Sequence, residues 1–501
     1  MNLPAVNIKL HLCIALSLVS TTFLVGCNKD LKPEDRIPGP GAFRTLDDML
    51  AWNNGFMSAF RARQLGFYCY CQDVQADLLN ATTQVGETGI ASYTWQMTNQ
   101  DKELSAMWGA YYASLANLNY FLERAGDFTP EEGHPGALDT VRHIQGNAHF
   151  LRAYYYHELA LRWSRTYQPS AACVPLVTTY DVNARPARAT QQEVFSFVLA
   201  ELDKAEKELS DVPNVPSSQT ITPGAVRALR ARVFLTMQSW NEAYTEATEL
   251  IELGAYSLLS DPAKLAKMWH NDASSPEVIL MLFASKSGEA PNGMGLYSGF
   301  RKTDSSYRPA YLPTQWLVDL YEPSDSRRAI YFTQRTVKLR DDNTPTPNVW
   351  MVNKYPGNPA LVAGENKYLH SPKPLRLAEL YLIAAEAAFE LNAEANSLAA
   401  LNALRQSRSL GTISATGDAL LQAIREERTR ELAFEGMRLW DLRRWGERCT
   451  RQAVQAGDIL ITTPSELTTG LDMPSEHPKF VWGFPAYDIV ANPQLKQNPG
   501  W

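Results

Sequence analysis

The sequence lacks an excess of positive charge. Its 501 residues include 47 lysines and arginines against 54 aspartates and glutamates, which gives a formal net charge of -7. A protein that binds polyanions in general is normally basic. The charge balance therefore argues against a nucleic-acid-binding protein, and we expect no nucleic-acid partner.

Long apolar runs are also missing beyond the first residues. Residues 12–25 are apolar or small but too few to span a bilayer comfortably, and no later segment offers about 18 uncharged apolar residues. The run ends in LVGC (24–27), and small residues before a cysteine resemble the lipobox of bacterial lipoproteins. We predict a lipoprotein signal peptide at 1–26, lipidation of Cys27, and a lipidated tether at 27–40. The alternative is an ordinary export signal with an incidental cysteine.

Cysteine is scarce in the rest of the chain, where only Cys69, Cys71, Cys173 and Cys449 remain. An exported protein faces an oxidising compartment, so one disulfide is possible, although Cys69 and Cys71 should not bridge each other easily. A Cys-x-Cys metal site would need further ligands nearby. We therefore expect no metal site.

Known catalytic motifs are absent as well. The chain contains no HExxH, GxSxG or GxxxxGK[ST] sequence and no complete GxGxxG. His149 and His157 share a predicted helix, but aromatic residues separate them, which favours packing or surface roles. Paired carboxylates of a glycoside hydrolase meet only in three dimensions, so a secreted hydrolase stays open as an alternative. The motifs favour a binding or scaffold protein without a cofactor.

Helical periodicity is what the chain has in abundance. Apolar residues recur every three to four positions in several segments: 47–65, 103–124, 140–163, 190–210, 223–237 and 240–253. The last two segments form a helix hairpin with small and aromatic residues spaced as in a tetratricopeptide repeat. A second hairpin is predicted at 376–408. We predict a mostly α fold with tetratricopeptide-like helices at about 140–254 and 375–409.

Two segments break this pattern. Gly, Pro, Ser and aromatic residues accumulate at 255–370, where short apolar runs such as EVILMLF (277–283) are typical of strands. A similar loop covers about 80–102. Long irregular segments inside a helical protein are commonly where ligands bind. We therefore predict an irregular ligand-facing half with few short strands, made of these two segments.

The densest cluster of charge is EERTRELAFEGMRLWDLRRW (426–445), with five acids and five arginines. These charges cancel, so the run is not the positive stripe that phosphate binding needs. Glu426 and Arg430 stand four apart in the favourable order for a helical ion pair. Gly436 suits a helix C-cap, after which a new apolar face begins. The run predicts an ion-paired structural helix rather than a catalytic cluster.

The same run carries a resemblance to a known family. RTRELAFEGMRLWDLRRWG (428–446) resembles the signature of the SusD/RagB family of outer-membrane nutrient-binding lipoproteins. GNAHFLRAYYYHELALRW (146–163) and the final FPAYDIVANPQLKQNPGW (484–501) are similar to further landmarks of that family, with Trp501 in place of a tyrosine. The resemblance covers nearly the whole chain after Cys27. It implies a single SusD-like domain at 41–501.

Several expectations follow from the resemblance alone. It implies a non-enzymatic lipoprotein, anchored in the cell outer membrane and surface-exposed, that captures an oligosaccharide. The captured ligand would pass to a partner TonB-dependent transporter, a SusC-like β-barrel. The alternative within the family is an oligopeptide-binding lid of a RagAB-type peptide importer, and segments 276–289 and 312–328 resemble that branch. The resemblance implies no cofactor.

The candidate ligand-binding residues are polar aromatics and their neighbours in the two irregular segments. Trp95 occupies a loop where the family often carries a stacking aromatic, and Asp77 is a candidate that could instead cap a helix. Packing within a loop is the alternative for each candidate. The full set is Asp77, Tyr93, Trp95, Asn99, Tyr307, Arg308 and Tyr311.

Overall fold

The computed structural model describes residues 43–86, 89–130, 136–285, 289, 294–339, 343–362, 368–452, 454–455 and 472–501. The chain divides into two units, Met1–Arg44 and Thr45–Trp501. The predicted signal peptide, Cys27 and the tether at 27–40 lie outside the described residues. The helices and strands given below belong to the second unit.

Helices provide most of the regular structure, as the sequence predicts. In chain order they are α1 (Leu46–Ala62), α2 (Phe67–Gln75), α3 (Ile90–Tyr93), α4 (Lys102–Arg124), α5 (Ala137–Trp163), α6 (Gln191–Glu208), α7 (Pro223–Met237), α8 (Trp240–Glu252), α9 (Pro262–His270), α10 (Gln315–Asp319), α11 (Ser326–Tyr331), α12 (Leu377–Glu390), α13 (Glu394–Ser407), α14 (Gly417–Leu432), α15 (Arg438–Trp445) and α16 (Ala486–Ala491). Within the described residues, none of these helices is both long and apolar enough to cross a membrane.

The strands are short and form small sheets. They are β1 (Leu79–Ala81), β2 (Ala172–Pro175), β3 (Arg188–Thr190), β4 (Val278–Leu280), β5 (Phe300–Arg301), β6 (Ser306–Tyr307), β7 (Tyr311–Pro313), β8 (Phe332–Val337), β9 (Thr346–Val352), β10 (Leu375–Arg376), β11 (Cys449–Thr450) and β12 (Asp472–Met473). The largest sheet has the order β5-β6-β8-β9, and its β6–β8 pair is parallel. The other sheets are antiparallel pairs, β1-β7, β2-β3, β4-β10 and β11-β12. The expectation of a mostly α fold with few short strands is confirmed.

Neighbouring helices pack as pairs. Helix α5 packs against α6, α7 against α8, and α12 against both α8 and α13. Ala243 and Ala247 on α8 are fully buried, as is Ala388 on α12, and such small side chains let helix axes approach closely. The α6 N-terminus is closed by a capping box, in which Thr190 and Glu193 each bond the other's backbone N–H. The α7–α8 and α12–α13 pairs occupy the positions of the hairpins expected from the sequence.

The irregular segment at 255–370 shares one core, rich in aromatic rings, with α2, β1 and the turn after α14. Trp269, Tyr331 and Phe434 are buried there. The ammonium of Lys354 lies 4.3 Å from the ring centroid of Trp269 and 4.1 Å from that of Tyr331. Burial lowers the pKa of Lys354 to about 8, although the Glu435 carboxylate at 2.7 Å favours its charged form. The four-stranded sheet contributes Phe332 and Val352 to this core.

The charged run at 426–445 contributes to a buried ionic network that also includes arginines from other parts of the chain. Glu431 has no exposed surface, and its carboxylate accepts bonds from Arg327 (2.9 Å), Arg376 (2.8 Å) and Arg408 (2.9 Å). These guanidinium groups hold the pKa of Glu431 well below its usual range even though burial opposes them. The contacts agree with the structural interpretation of the run.

Gly436 does not cap a helix, in contrast to the sequence-based prediction. Helix α14 already ends at Leu432, and Gly436 adopts a φ of 75°. A Cβ at this position would lie 2.6 Å from Nε2 of Gln72 and 2.9 Å from the carbonyl oxygen of Cys69. The glycine is needed because α2 approaches the backbone closely here.

The four cysteines of the body are buried free thiols in the structure. Burial raises the pKa of Cys173 to about 11, and it raises the pKa of Cys71 and Cys449 further. Such thiols stay protonated at neutral pH and are poor nucleophiles. Among the described residues there is no group of three potential metal-ligating side chains.

Candidate ligand-binding site

A cleft of about 210 Å³ lies on the irregular segment, next to the four-stranded sheet. Because aromatic rings line it, we call it the aromatic cleft. It is bounded by the 3-10 turn Met294–Tyr297, by β5, β6, β8 and β9, and by the chain that follows β9. Its lining residues are Tyr297, Ser298, Phe300, Tyr307, Thr333, Arg335, Met351, Val352, Asn353, Tyr355, Pro356 and Tyr368.

Three half-buried rings give the cleft its apolar surface. Phe300 and Tyr307 are cross-strand partners in the β5–β6 pair, and their ring centroids are 5.1 Å apart. Two hydrogen bonds hold the hydroxyl of Tyr368 in place: it donates to Oγ of Ser298 (3.0 Å) and accepts from the backbone N–H of Phe300 (3.3 Å). Rings fixed in this way present flat apolar faces at little cost in side-chain entropy.

Polar groups stand beside these rings. The exposed Arg335 on β8 places its guanidinium carbon 5.8 Å from the ring centroid of Tyr307. It forms no ion pair with any residue in the described ranges. Asn353 is half-buried, and its amide donates to the carbonyl oxygen of Ile330 (3.4 Å). A cleft with aromatic faces and a few polar groups suits an amphipathic ligand such as a sugar ring.

The turn that forms the cleft depends on Gly299, whose φ is 53°. A Cβ there would lie 1.8 Å from the carbonyl oxygen of Arg308, so no other residue fits without a backbone shift. The backbone N–H of Arg308 donates to the carbonyl oxygen of Gly299 (3.0 Å). This close approach brings Phe300 and Tyr307 onto neighbouring strands.

Of the candidates named from the sequence, Tyr307 lines the aromatic cleft. Arg308 follows it, but its side chain bonds Asp304 (3.4 Å) in the β5–β6 loop and Asn343 (2.5 Å) between β8 and β9. The Arg308 guanidinium is therefore already engaged by side chains of two loops. Asn99 is half-buried, and its carbonyl oxygen accepts from the backbone N–H of Ala486 (2.8 Å).

Trp95 lies in the interior, where it has no exposed ring face. Its side chain is 4% exposed, and Nε1 donates to the carbonyl oxygen of Gln75 (2.9 Å). Phe480 and His477 pack edge-on against it, with ring centroids 4.8 Å and 5.3 Å away. This position does not match the expectation of a stacking ring, because residues far along the chain cover the indole.

Tyr93, Tyr311 and Asp77 are also interior residues. Tyr93 and Tyr311 are 1% and 0% exposed, with ring centroids 5.9 Å apart, and the guanidinium of Arg451 lies 3.7 Å from the Tyr93 ring centroid. Asp77 accepts two bonds from Arg438, at 2.8 Å and 2.7 Å. These contacts hold the three side chains in the interior, and they correct the expectation that the three side chains face a ligand.

Sequence reasoning missed Phe300, Arg335 and Tyr368. The segment 255–370 that contains them was identified, but nothing local distinguishes these residues from others in it. Their common position depends on the β5–β6 pairing and on the parallel pairing of Tyr307 with Val337. The local signal in the sequence is Gly299, whose positive φ allows the turn that brings these strands together.

Comparisons with known proteins agree on one family. A family model described as the SusD family matches residues 323–501, and a second, described as starch-binding associating with outer membrane, matches residues 57–235. SusD-like protein P38 of Formosa agariphila is 24% identical to the chain, with 96% of this chain and 97% of that protein covered.

Solved structures show the same fold. A SusD superfamily protein from Bacteroides thetaiotaomicron superposes with a TM-score of 0.78 at 22% identity, covering 91% of this chain and 100% of that one. A structure described as a laminarin-binding SusD-like protein superposes with a TM-score of 0.69 at 19% identity, covering 92% and 100%. The similarity extends over nearly the full length of each chain.

Proposed function

We propose that this chain, which belongs to the SusD/RagB family, captures an oligosaccharide in the aromatic cleft without cleaving it. The observation that carries the proposal is the set of fixed, half-buried rings of Phe300, Tyr307 and Tyr368. Aromatic faces bind the C–H surfaces of sugar rings, while nearby polar groups bond the hydroxyls. The laminarin-binding relative supports the choice of a glycan.

The proposal includes a location and a partner. We propose that Cys27 is lipidated and anchors the protein to the outer membrane through the tether at 27–40, with the domain at the cell surface. The lipobox-like sequence supports the anchor, and the family description that mentions the outer membrane supports the location. The bound oligosaccharide then passes to a SusC-like TonB-dependent transporter. Co-purification of such a barrel with the native lipoprotein tests the partner.

Calorimetric titration with a panel of ligands tests the binding function. The panel contains laminarin oligosaccharides, maltooligosaccharides and a mixture of oligopeptides. We expect a glycan to bind, to release heat, and to be recovered intact. Binding of peptides alone would replace this proposal with the oligopeptide-binding alternative.

A second measurement separates binding from hydrolysis. The purified protein is incubated with each bound glycan, and new reducing ends are assayed over time. We expect none above the buffer control. Enzyme-dependent reducing ends that increase with protein concentration would make the protein a hydrolase and overturn the proposal.

A further inference from the structure

A second and larger cleft lies away from the aromatic cleft. Its volume is about 840 Å³, and it is formed by the chain after α5, the β2–β3 pair and the C-terminal segment. We call it the arginine cleft. The described residues that line it are Arg165, Thr166, Gln168, Ala171, Ala172, Arg188, Arg443, Ser475, Glu476, His477, Pro478, Phe480, Val481, Gln497, Asn498 and Pro499.

Arg443 is a buried cation of this cleft. Its Nη1 donates to the carbonyl oxygens of Ser164 (2.8 Å) and Phe480 (3.1 Å), and its guanidinium lies 4.9 Å from a ring centroid of Trp440. No carboxylate in the described part of the chain pairs with it, and no described residue accepts from its Nε or Nη2. Burial lowers the pKa of Arg443 to about 9 because no anion offsets the lost hydration.

Two further arginines add positive charge. Arg188 donates to the carbonyl oxygens of Cys173 (2.7 Å), Ala172 (2.9 Å) and Lys496 (3.3 Å), which leaves one N–H on each Nη free of these bonds. Arg165 is exposed at the cleft edge. Burial lowers the pKa of Arg188, and nearby Arg165 lowers it further. Neither side chain forms an ion pair within the ranges that the structure describes.

Several other buried arginines of this chain are paired with acids, although buried Arg451, like Arg443, donates to backbone carbonyl oxygens. Arg152 lies 2.6 Å from Glu201, and Arg428 lies 2.7 Å from Asp441. Among the described lining residues of the arginine cleft, Glu476 is the one acid, and its carboxylate accepts from the Ser475 hydroxyl. The cleft is therefore net positive in a chain whose formal charge is -7.

We propose that the arginine cleft binds the anionic group of an acidic saccharide, a carboxylate or a sulfate ester, through Arg165, Arg188 and Arg443. A guanidinium matches the planar or tetrahedral oxygens of such groups and forms strong charge-assisted bonds with them. The cleft volume accommodates sugar units beside the anionic group. The inference rests on the proposed function only in expecting a saccharide as the carrier of the charge.

The test compares two exposed arginines by calorimetry at low ionic strength. The probes are a trigalacturonate, a sulfated disaccharide, inorganic sulfate and a neutral oligosaccharide. Arg165→Gln removes a charge at the cleft, and we expect about tenfold weaker binding of the two acidic saccharides. Arg124→Gln removes the same charge from the exposed end of α4 and should change nothing. Arg443→Lys, checked for folding by its melting curve, should also weaken binding because the fork geometry is lost.

The outcomes separate this inference from the proposed function. Acidic saccharides that do not bind, or that bind equally to Arg165→Gln and Arg124→Gln, would overturn the inference. Binding of inorganic sulfate alone would show a site for free anions and would also overturn it. Neutral oligosaccharides test only the aromatic cleft, so their binding should survive Arg165→Gln whether or not the arginine cleft is a site.

Discussion

The indole of Trp95 packs against residues that lie almost four hundred positions later in the chain. Trp95→Ala would remove the ring from between Phe480 and His477 and leave a cavity. We expect the free energy of unfolding to fall by about 3–5 kcal/mol, measured by denaturant titration. Tyr487→Ala is the control, because Tyr487 is 81% exposed and its loss should cost less than about 0.5 kcal/mol. Equal losses in the two variants would contradict the interior position of Trp95.

A second residue links burial to pH. Burial raises the pKa of Asp73 to about 8, although the backbone N–H of Gly436 donates to its carboxylate. The folded protein therefore holds a proton that the unfolded chain releases near pH 4. Stability from this group is full below that pH and is lost as the pH rises to about 8.

The Asp73→Asn variant tests this linkage. Asparagine keeps an oxygen that can accept from Gly436 but does not titrate. We expect the variant to gain stability relative to the wild type as the pH rises from about 4 to about 8, measured by unfolding at several pH values. A stability difference that does not change over this range would show that Asp73 titrates normally.

The sequence was least informative about which individual side chains face the aromatic cleft. Tyr307 could be assigned to the ligand-facing segment, and the structure places it in the aromatic cleft. Tyr93, Trp95 and Tyr311 are also aromatic residues of the irregular segments, but their side chains are buried. Residues distant in the sequence, such as Arg451 and Phe480, pack over these rings, and no local sequence pattern predicts those contacts.

Glu431 on helix α14 is the buried acid that pairs with three arginines. Glu431→Gln would leave the guanidinium groups of Arg327, Arg376 and Arg408 short of a buried negative charge. We expect a loss of about 3–5 kcal/mol in the free energy of unfolding, measured by denaturant titration.

The same helix offers a matched control. The side chain of Glu426 is 37% exposed and lies 3.8 Å from Arg430. Glu426→Gln should therefore cost less than about 1 kcal/mol. A loss at Glu431 no larger than at Glu426 would show that the buried network does not stabilise the fold.

Helices could be predicted because their signal is local. The apolar periodicity of 223–237 and 240–253 corresponds to α7 and α8, and capping residues such as Thr222 mark where they begin. The sequence predicted an ion pair within α14, between Glu426 and Arg430. It did not predict that Arg428 pairs with Asp441 on α15, because that contact depends on the turn between the two helices. The β5–β6 strand pair depends on the close backbone approach at Gly299, and it was not predicted.

The proposed lipid anchor at Cys27 would hold the whole protein at the membrane. Cys27→Ala removes the thiol that lipidation requires. We expect the variant to move from the membrane fraction to the soluble fraction when cells are lysed and fractionated, while the wild type stays with the membrane. Membrane retention of the variant equal to that of the wild type would contradict the lipid anchor.

Tyr307→Ala tests whether an oligosaccharide binds in the aromatic cleft, because the Tyr307 ring lines that cleft. The measurement is the dissociation constant of the bound glycan for Tyr307→Ala and for the control Tyr487→Ala, after melting curves show that both variants are folded. Loss of a stacked ring should weaken binding by about 1–3 kcal/mol for Tyr307→Ala. The control should match the wild type. Unchanged affinity in Tyr307→Ala would show that the oligosaccharide does not bind in the aromatic cleft.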